Sequence, residues 1–277
     1  MSLAPGRGSF PGLFSFCVVF ILHAVRKHTL MRRVMKSDGS LDQEAGQYWN
    51  LSRYDERIQD QSHWCGSARW DGNRWLRYGA FHEGLVLSYL GKFTGPEYFE
   101  SLRGRTALDW GCGGGANART LCLHFGSVIG CDISEPTTAE CERRIRSFGL
   151  KNFRSVFFEA HRPEALLESL GREAVDFVFS VAVFQHFSSK SYALRVLGVM
   201  ERLMKPGAFG LIQVRYFDGS EKLRQKGDDY ARNVIYMTSF TTDEFTGQLN
   251  ASGFKLLGSE RDLDHPEECH EYFFFRK

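Results

Sequence analysis

Seven cysteines lie along this 277-residue chain, yet no two of them form a C-x-x-C pair. Cys17, Cys65, Cys112, Cys122, Cys131, Cys141 and Cys269 are scattered and odd in number. That spacing argues against a zinc ribbon and a secreted disulfide framework, and favours a reducing, cytoplasmic compartment. A dominant charge is missing as well: 35 Lys and Arg against 33 Asp and Glu leave a formal +2. With no basic stripe, no nucleic-acid partner is expected. No apolar run reaches the roughly 20 residues of a membrane span. The nearest, 11–25, is interrupted by Gly12, Ser15 and His23 and followed by Arg26, Lys27, His28, Arg32 and Arg33. Its charge comes after the apolar stretch and no A-x-A site closes it, which counts against a signal peptide. A weak anchor, a disordered leader and a start codon upstream of true initiation at Met31 remain as readings. Membrane association is expected only through residues 10–25.

The composition that is present, 43% hydrophobic and 25% charged, suits one large globular domain or a domain with an N-terminal extension. A leader (1–35), an aromatic-rich helical cap (36–103) and a core (104–277) are expected, with 215–240 as an insertion on the substrate side. Residues 36–60 are polar and show no sustained periodicity. Trp64, Trp70, Trp75 and Tyr78 cluster just after them. Over 79–90 the apolar residues Phe81, Leu85, Val86, Tyr89 and Leu90 recur at helical spacing and predict a helix. Beyond Gly104 strands and helices alternate, the pattern of an α/β parallel sheet covered by helices. Strands are expected at 106–109, 127–132, 153–158, 175–181, 209–214, 254–259 and 272–276. The intervening helices are expected at 115–125, 136–148, 163–170, 190–204 and 242–252.

The stretch from Ala107 through Asp109, Gly111, Gly113, Gly114 and Gly115 to Ala116 joins the first strand to a helix. Glycines allow positive φ and let a ligand approach without a Cβ collision. A helix start also offers free N–H groups and partial positive charge. Gly111-x-Gly113-x-x-Ala116 fits a dinucleotide fingerprint too. Asp109 disfavours that reading, because its charge would repel a pyrophosphate and attract an ammonium. No separate catalytic domain follows the motif either.

From Gly104 to the C-terminus the sequence resembles the class I S-adenosyl-L-methionine (SAM)-dependent methyltransferases, especially their small-molecule enzymes. Four ordered features carry the resemblance: Leu108-Asp109-x-Gly111-x-Gly113, Gly130-x-Asp132-x-Ser134, Val175-Asp176-Phe177-Val178 and Lys205-Pro206-Gly207. It implies a Rossmann-like doubly wound sheet of about seven strands, mostly parallel with an antiparallel last strand. It implies SAM as cofactor and a small-molecule methyl acceptor. On this basis the backbone of Gly111, Cys112 and Gly113 would cradle the methionine part of SAM, with Asp109 close by. Asp132 would accept hydrogen bonds from both ribose hydroxyls, Ile133 would lie against adenine, and Glu159 would meet the adenine amino group. Ser180 and Val181 would end the fourth strand beside the sulfonium. Asp132 as a helix N-terminal charge and Glu159 as a solvated loop carboxylate are the rival readings.

Methyl transfer asks mainly for alignment, which in favourable systems supplies about 7–11 kcal/mol of the barrier. A hydroxyl acceptor gains from a general base. His186, in Val183-Phe184-Gln185-His186-Phe187, is the candidate, with bracing of the loop as the alternative. The Trp64, Trp70, Trp75 and Tyr78 cluster either forms a lid, where aromatic faces attract cations, or packs a helix on the sheet. Asp262, Asp264, His265, Glu267, Glu268, Cys269 and His270 look metal-like by composition, but a solvated hairpin is the expected place for them and no metal is expected. The signatures of amino-methylating DNA enzymes, cytosine-C5 enzymes, arginine methyltransferases and metal-dependent catechol enzymes are missing. The resulting expectation is a methyltransferase acting on O or N of a small molecule, with residues 41–100 and 215–240 shaping the acceptor pocket. A non-catalytic SAM-binding protein and a nicotinamide-dependent oxidoreductase are the alternatives.

Overall fold

A computed structural model of the chain describes residues 38–226, 229–263 and 269–277. The apolar run at 11–25, the basic residues after it and Met31 lie outside the described residues, as do Asp264, His265, Glu267 and Glu268. Among the described residues no helix is long and apolar enough to cross a membrane.

The strands are β1 (Thr106–Trp110), β2 (Ser127–Asp132), β3 (Phe153–Phe157), β4 (Val175–Ser180), β5 (Met204–Arg215), β6 (Lys255–Arg261) and β7 (His270–Arg276). They form one sheet in the order β3-β2-β1-β4-β5-β7-β6. β1 to β5 pair in parallel, and β7 runs antiparallel to both β5 and β6. This is the Rossmann-like sheet that the strand–helix alternation predicts. Side chains alternate across it with period two. Leu108 and Trp110 join one apolar cluster with Ile129, Val178 and Ile212, while Ala107 joins another with Val128, Phe177 and Leu211. The first face is covered by α7 (Ala165–Leu170), α8 (Lys190–Leu203) and α10 (Thr242–Ala251). The second is covered by α3 (Gly72–Phe93), α5 (Ala116–His124) and α6 (Glu135–Ser147). Phe273 and Phe275 of β7 enter the first cluster and Phe274 the second. Each buried ring is worth about 1.5–3 kcal/mol, which holds the reversed strand inside the sheet.

Two differences from expectation place the site. Residues 36–60 are not irregular: they contain α1 (Asp38–Asn50) and α2 (Glu56–Gln61). Leu41, Ala45 and Trp49 make a stripe one residue wide, and its partners are Tyr230, Val234 and Met237, in and after α9 (Tyr230–Asn233). Trp49 Nε1 donates to the Tyr230 hydroxyl at 2.8 Å, so the N-terminal cap and the 215–240 insertion are joined. The helix expected at 79–90 begins at Gly72, because the Asp71 carboxylate accepts from the amides of Asn73 and Arg74 at 2.8 and 2.9 Å. A short α4 (Pro96–Glu100) leads on toward β1.

Candidate active site

β1 has β2 on one side and β4 on the other, so the strand order reverses there. In open α/β sheets ligands lie in the crevice outside the strand ends at such a point. A cavity of about 880 Å³, counting its open mouth, occupies this place. Gly111, Cys112 and Gly113 line it after β1, Asp132 and Ile133 at β2, and Val181 and Ala182 after β4. Trp49, His63 and Tyr78 line it from the N-terminal segment and Tyr230 from the 215–240 insertion, and His186 lines it after β4.

The glycine turn is built differently from expectation. Gly111, Gly113 and Gly115 take φ of 77, 50 and 91°, as an L side chain rarely does. The amides of the turn, however, are not free for a ligand. Gly111 and Cys112 donate to the Cys131 carbonyl at 2.7 and 3.1 Å, and Gly115 donates to the Cys112 carbonyl at 3.0 Å. Gly113 donates to the Asp132 carboxylate at 3.1 Å. Gly114 donates to the Ser62 carbonyl at 2.6 Å, and a Cβ there would fall 2.2 Å from the His63 carbonyl oxygen. Much of the glycine requirement therefore comes from the cap segment pressing on the turn.

Two carboxyl groups lie near it. Asp109 is 2% exposed and lies behind the turn without lining the cavity, and one of its carboxylate oxygens has no hydrogen-bond partner. Burial, with the Asp132 charge adding, pushes its pKa up to about 8 against the opposing Ala118 amide. Asp132 is raised to about 6 by burial, although the amides of Gly113 and Ser134 (3.1 and 3.0 Å) favour its ionised form. With Asp132 lining the cavity and the turn amides engaged, a pyrophosphate is poorly suited to this place.

Ile133 and Val181 are brought to the cavity, but Ser180 is not: it is fully buried, and its hydroxyl donates to the Trp110 carbonyl at 3.0 Å. Ala182 takes its place, with an unusual φ of 59° held by donation of its amide to Gln213 Oε1 at 2.7 Å. Glu159 is also not brought in. β3 ends at Phe157, Phe158 and Ala160 then turn inward, and the Glu159 side chain between them is 56% exposed near His161. Of the aromatic cluster only Tyr78 reaches the cavity. Trp70 and Trp75 pack with Ala116, and Trp75 stacks on Phe148 at 5.9 Å. Among the described residues no group of His, Cys, Asp and Glu is placed to hold a metal.

His186 lines the cavity, its Nδ1 bonded to the Val234 carbonyl at 2.6 Å. Burial lowers its pKa to about 4, helped by the Arg215 charge and opposed by the Val234 and Ala182 carbonyls. Sequence reasoning passed over His63, which sits between the rings of Trp70 and Tyr78 at 4.2 and 4.9 Å. Its pKa falls to about 3, through burial and the charges of His186, His82 and Arg74. A φ of 57° at this histidine is the mark of its constrained place, and nothing in the sequence signals it.

Residues 108–212 match the family model described as a methyltransferase domain. A ubiquinone biosynthesis O-methyltransferase of Methylococcus capsulatus is 33% identical over 107 residues, 39% of this chain and 42% of that protein. The match thus spans less than half the length of that curated relative. Two solved structures share the fold. One, from Galdieria sulphuraria and assigned as a sarcosine dimethylglycine methyltransferase, gives a TM-score of 0.55 at 17% identity, over 72% of this chain and 86% of that one. The other, a SAM-dependent methyltransferase of Methanosarcina mazei, gives 0.53 at 18% identity, over 66% and 97%. Residues 108–212 thus match a methyltransferase domain, and the chain shares the fold of these two structures. SAM carries ribose hydroxyls, and the Asp132 carboxylate that lines the cavity at the end of β2 is an acceptor that fits them.

Proposed function

We propose that this chain is a cytoplasmic SAM-dependent methyltransferase that acts on O or N of a small molecule. The observation that carries it is the cleft at the ends of β1 and β2, where the Asp132 carboxylate lines the cavity and the turn amides are already bonded within the protein. Bound SAM supplies a methyl group on a good leaving group, so alignment does most of the remaining work. Asp132 would hold the ribose hydroxyls and Ile133 the adenine, while the backbone of Gly111 to Gly113, its amides being engaged, would hold the methionine part through carbonyl oxygens. Val181 and Ala182 would face the methyl group. His186 would take the proton of a hydroxyl acceptor on Nε2, since its Nδ1 is tied to Val234. The curated O-methyltransferase relative supports a small acceptor, and the six described cysteines, all free thiols, support a reducing compartment.

Calorimetric titration of the full chain with SAM and with S-adenosylhomocysteine tests the reading, with micromolar saturation expected for both. No saturation by either at sub-millimolar concentration would end it. Saturation by NAD or NADP instead would reinstate the oxidoreductase, and binding without turnover across an acceptor screen would favour the non-catalytic alternative.

A further inference from the structure

A second chamber adjoins the cleft. Gln61, His63, Tyr78, Ala182 and His186 line both spaces and so form the passage between them. The second chamber encloses about 1630 Å³, its open mouth included. Its described charged lining is unbalanced: Arg69, Arg74, Arg77, Arg215 and Lys222 face Asp60 and Asp262. Asp60 is already engaged, since its carboxylate accepts from the Arg69 amide at 2.6 Å and lies 3.0 Å from Arg69 Nε.

Arg74 and Arg77 stand one turn apart on α3, exposed at the rim. Arg74 lies 5.1 Å over the Trp70 ring. Arg215 forms part of the floor at 7% exposure, its guanidinium 5.0 Å over the Tyr236 ring. Gln185, which lines the same chamber at 4% exposure, has an amide oxygen with no hydrogen-bond partner. The floor is thus polar and positive, while Phe81 and Tyr236 supply apolar walls.

We infer that this chamber is the acceptor site and that it selects acceptors bearing an anionic group, a carboxylate or a phosphate. The inference rests on the methyltransferase reading, because only then does the shared passage become the line of methyl transfer. Guanidinium groups bind such oxyanions through paired, charge-assisted hydrogen bonds. Arg74 and Arg77 capture the anion at the rim, Arg215 and Gln185 receive polar groups on the floor, and the nucleophilic atom is directed to Ala182 and His186.

The test is calorimetry on the full chain saturated with S-adenosylhomocysteine. Matched probes are benzoate and benzamide, 4-hydroxybenzoate and 4-hydroxybenzamide, and indole-3-acetate and indole-3-acetamide. Phenyl phosphate is added to separate phosphate from carboxylate preference. At least one acid should bind about tenfold or more tighter than its neutral partner. That advantage should shrink between about 0.05 and about 0.5 M NaCl. It should also be lost in Arg74→Gln/Arg77→Gln, which alters two exposed side chains and spares the fold. The inference is overturned if no acid exceeds its amide, whether both bind or neither does, or if the double variant keeps the preference. Arginine-dependent acid binding without any S-adenosylhomocysteine binding would sink the methyltransferase reading and leave the anion site standing.

Discussion

His186 donates its Nδ1–H to the Val234 carbonyl at 2.6 Å, tying the turn after β4 to the end of α9. A neutral imidazole with hydrogen on Nδ1 keeps a lone pair on Nε2. Because burial holds the pKa near 4, the ring stays in this form throughout the physiological range. The Tyr230 hydroxyl donates to the His186 carbonyl at 2.8 Å, so the same residue is clasped at backbone and side chain.

Catalysis and bracing at His186 are separable. His186→Ala should lower turnover by about 10²–10⁴ and leave the SAM dissociation constant within a few-fold. His186→Asn can still donate to Val234 but offers no imidazole base, so it should recover stability without recovering turnover. The acid limb of the pH–rate profile should fall near 4, well below the ordinary histidine value of about 6.5. Full turnover in the Asn variant would reduce His186 to a brace.

Stability should peak near pH 7. Burial lowers His63 to about 3 and His82, His186 and His270 to about 4. Between about pH 4 and 6.5 the unfolded chain binds more protons, so stability rises with pH, by up to about 1.4 kcal/mol per unit for each group. Asp109 and Asp132 act oppositely: raised to about 8 and about 6, they lose stability as pH climbs from about 4 through those values. Four histidines outweigh two acids below about pH 7, and Asp109 prevails above it. Urea midpoints measured across this range should show the maximum, and Asp109→Asn should flatten its alkaline side. Wild-type midpoints still rising at pH 8 would contradict the assignment.

Asp132→Ala should weaken S-adenosylhomocysteine binding by about 1.5–3 kcal/mol for each charged hydrogen bond lost. Circular dichroism must show the variant folded, since the amides of Gly113 and Ser134 lose their acceptor as well. Unchanged affinity in a folded variant would remove Asp132 from the ribose site.

The Trp49–Tyr230 hydrogen bond joins the cap to the insertion across 181 residues of sequence. A double-mutant cycle of Trp49→Phe and Tyr230→Phe, followed by urea unfolding, should give a coupling of about 0.5–1.5 kcal/mol. Additive single effects would mean that the two elements are held by packing alone.

The strand–helix series and the positions of Gly111, Gly113, Asp132, Ile133 and Val181 were legible because each depends on local pattern: alternation, turn glycines and the residue ending a parallel strand. α1 was not, since Leu41, Ala45 and Trp49 make a stripe too narrow to stand out, and their apolar partners come nearly two hundred residues later. Glu159 shows the limit of register. β3 stops one residue before the expected end, and that step turns Phe158 inward and Glu159 out. Arg74, Arg77 and Arg215 read singly as surface charge, and only the fold brings them around one chamber.

Gly114 has a practical bearing on how an inactive control should be made. Its amide is bonded to Ser62, and a methyl group there would collide with the His63 carbonyl. Alanine at this position would lift the segment carrying His63 and disturb a wall common to both chambers. The lost signal from such a control would mix cofactor, acceptor and lid effects in one number. Asp132, at the strand end, adds no such collision when it is shortened to alanine and gives the more interpretable blank.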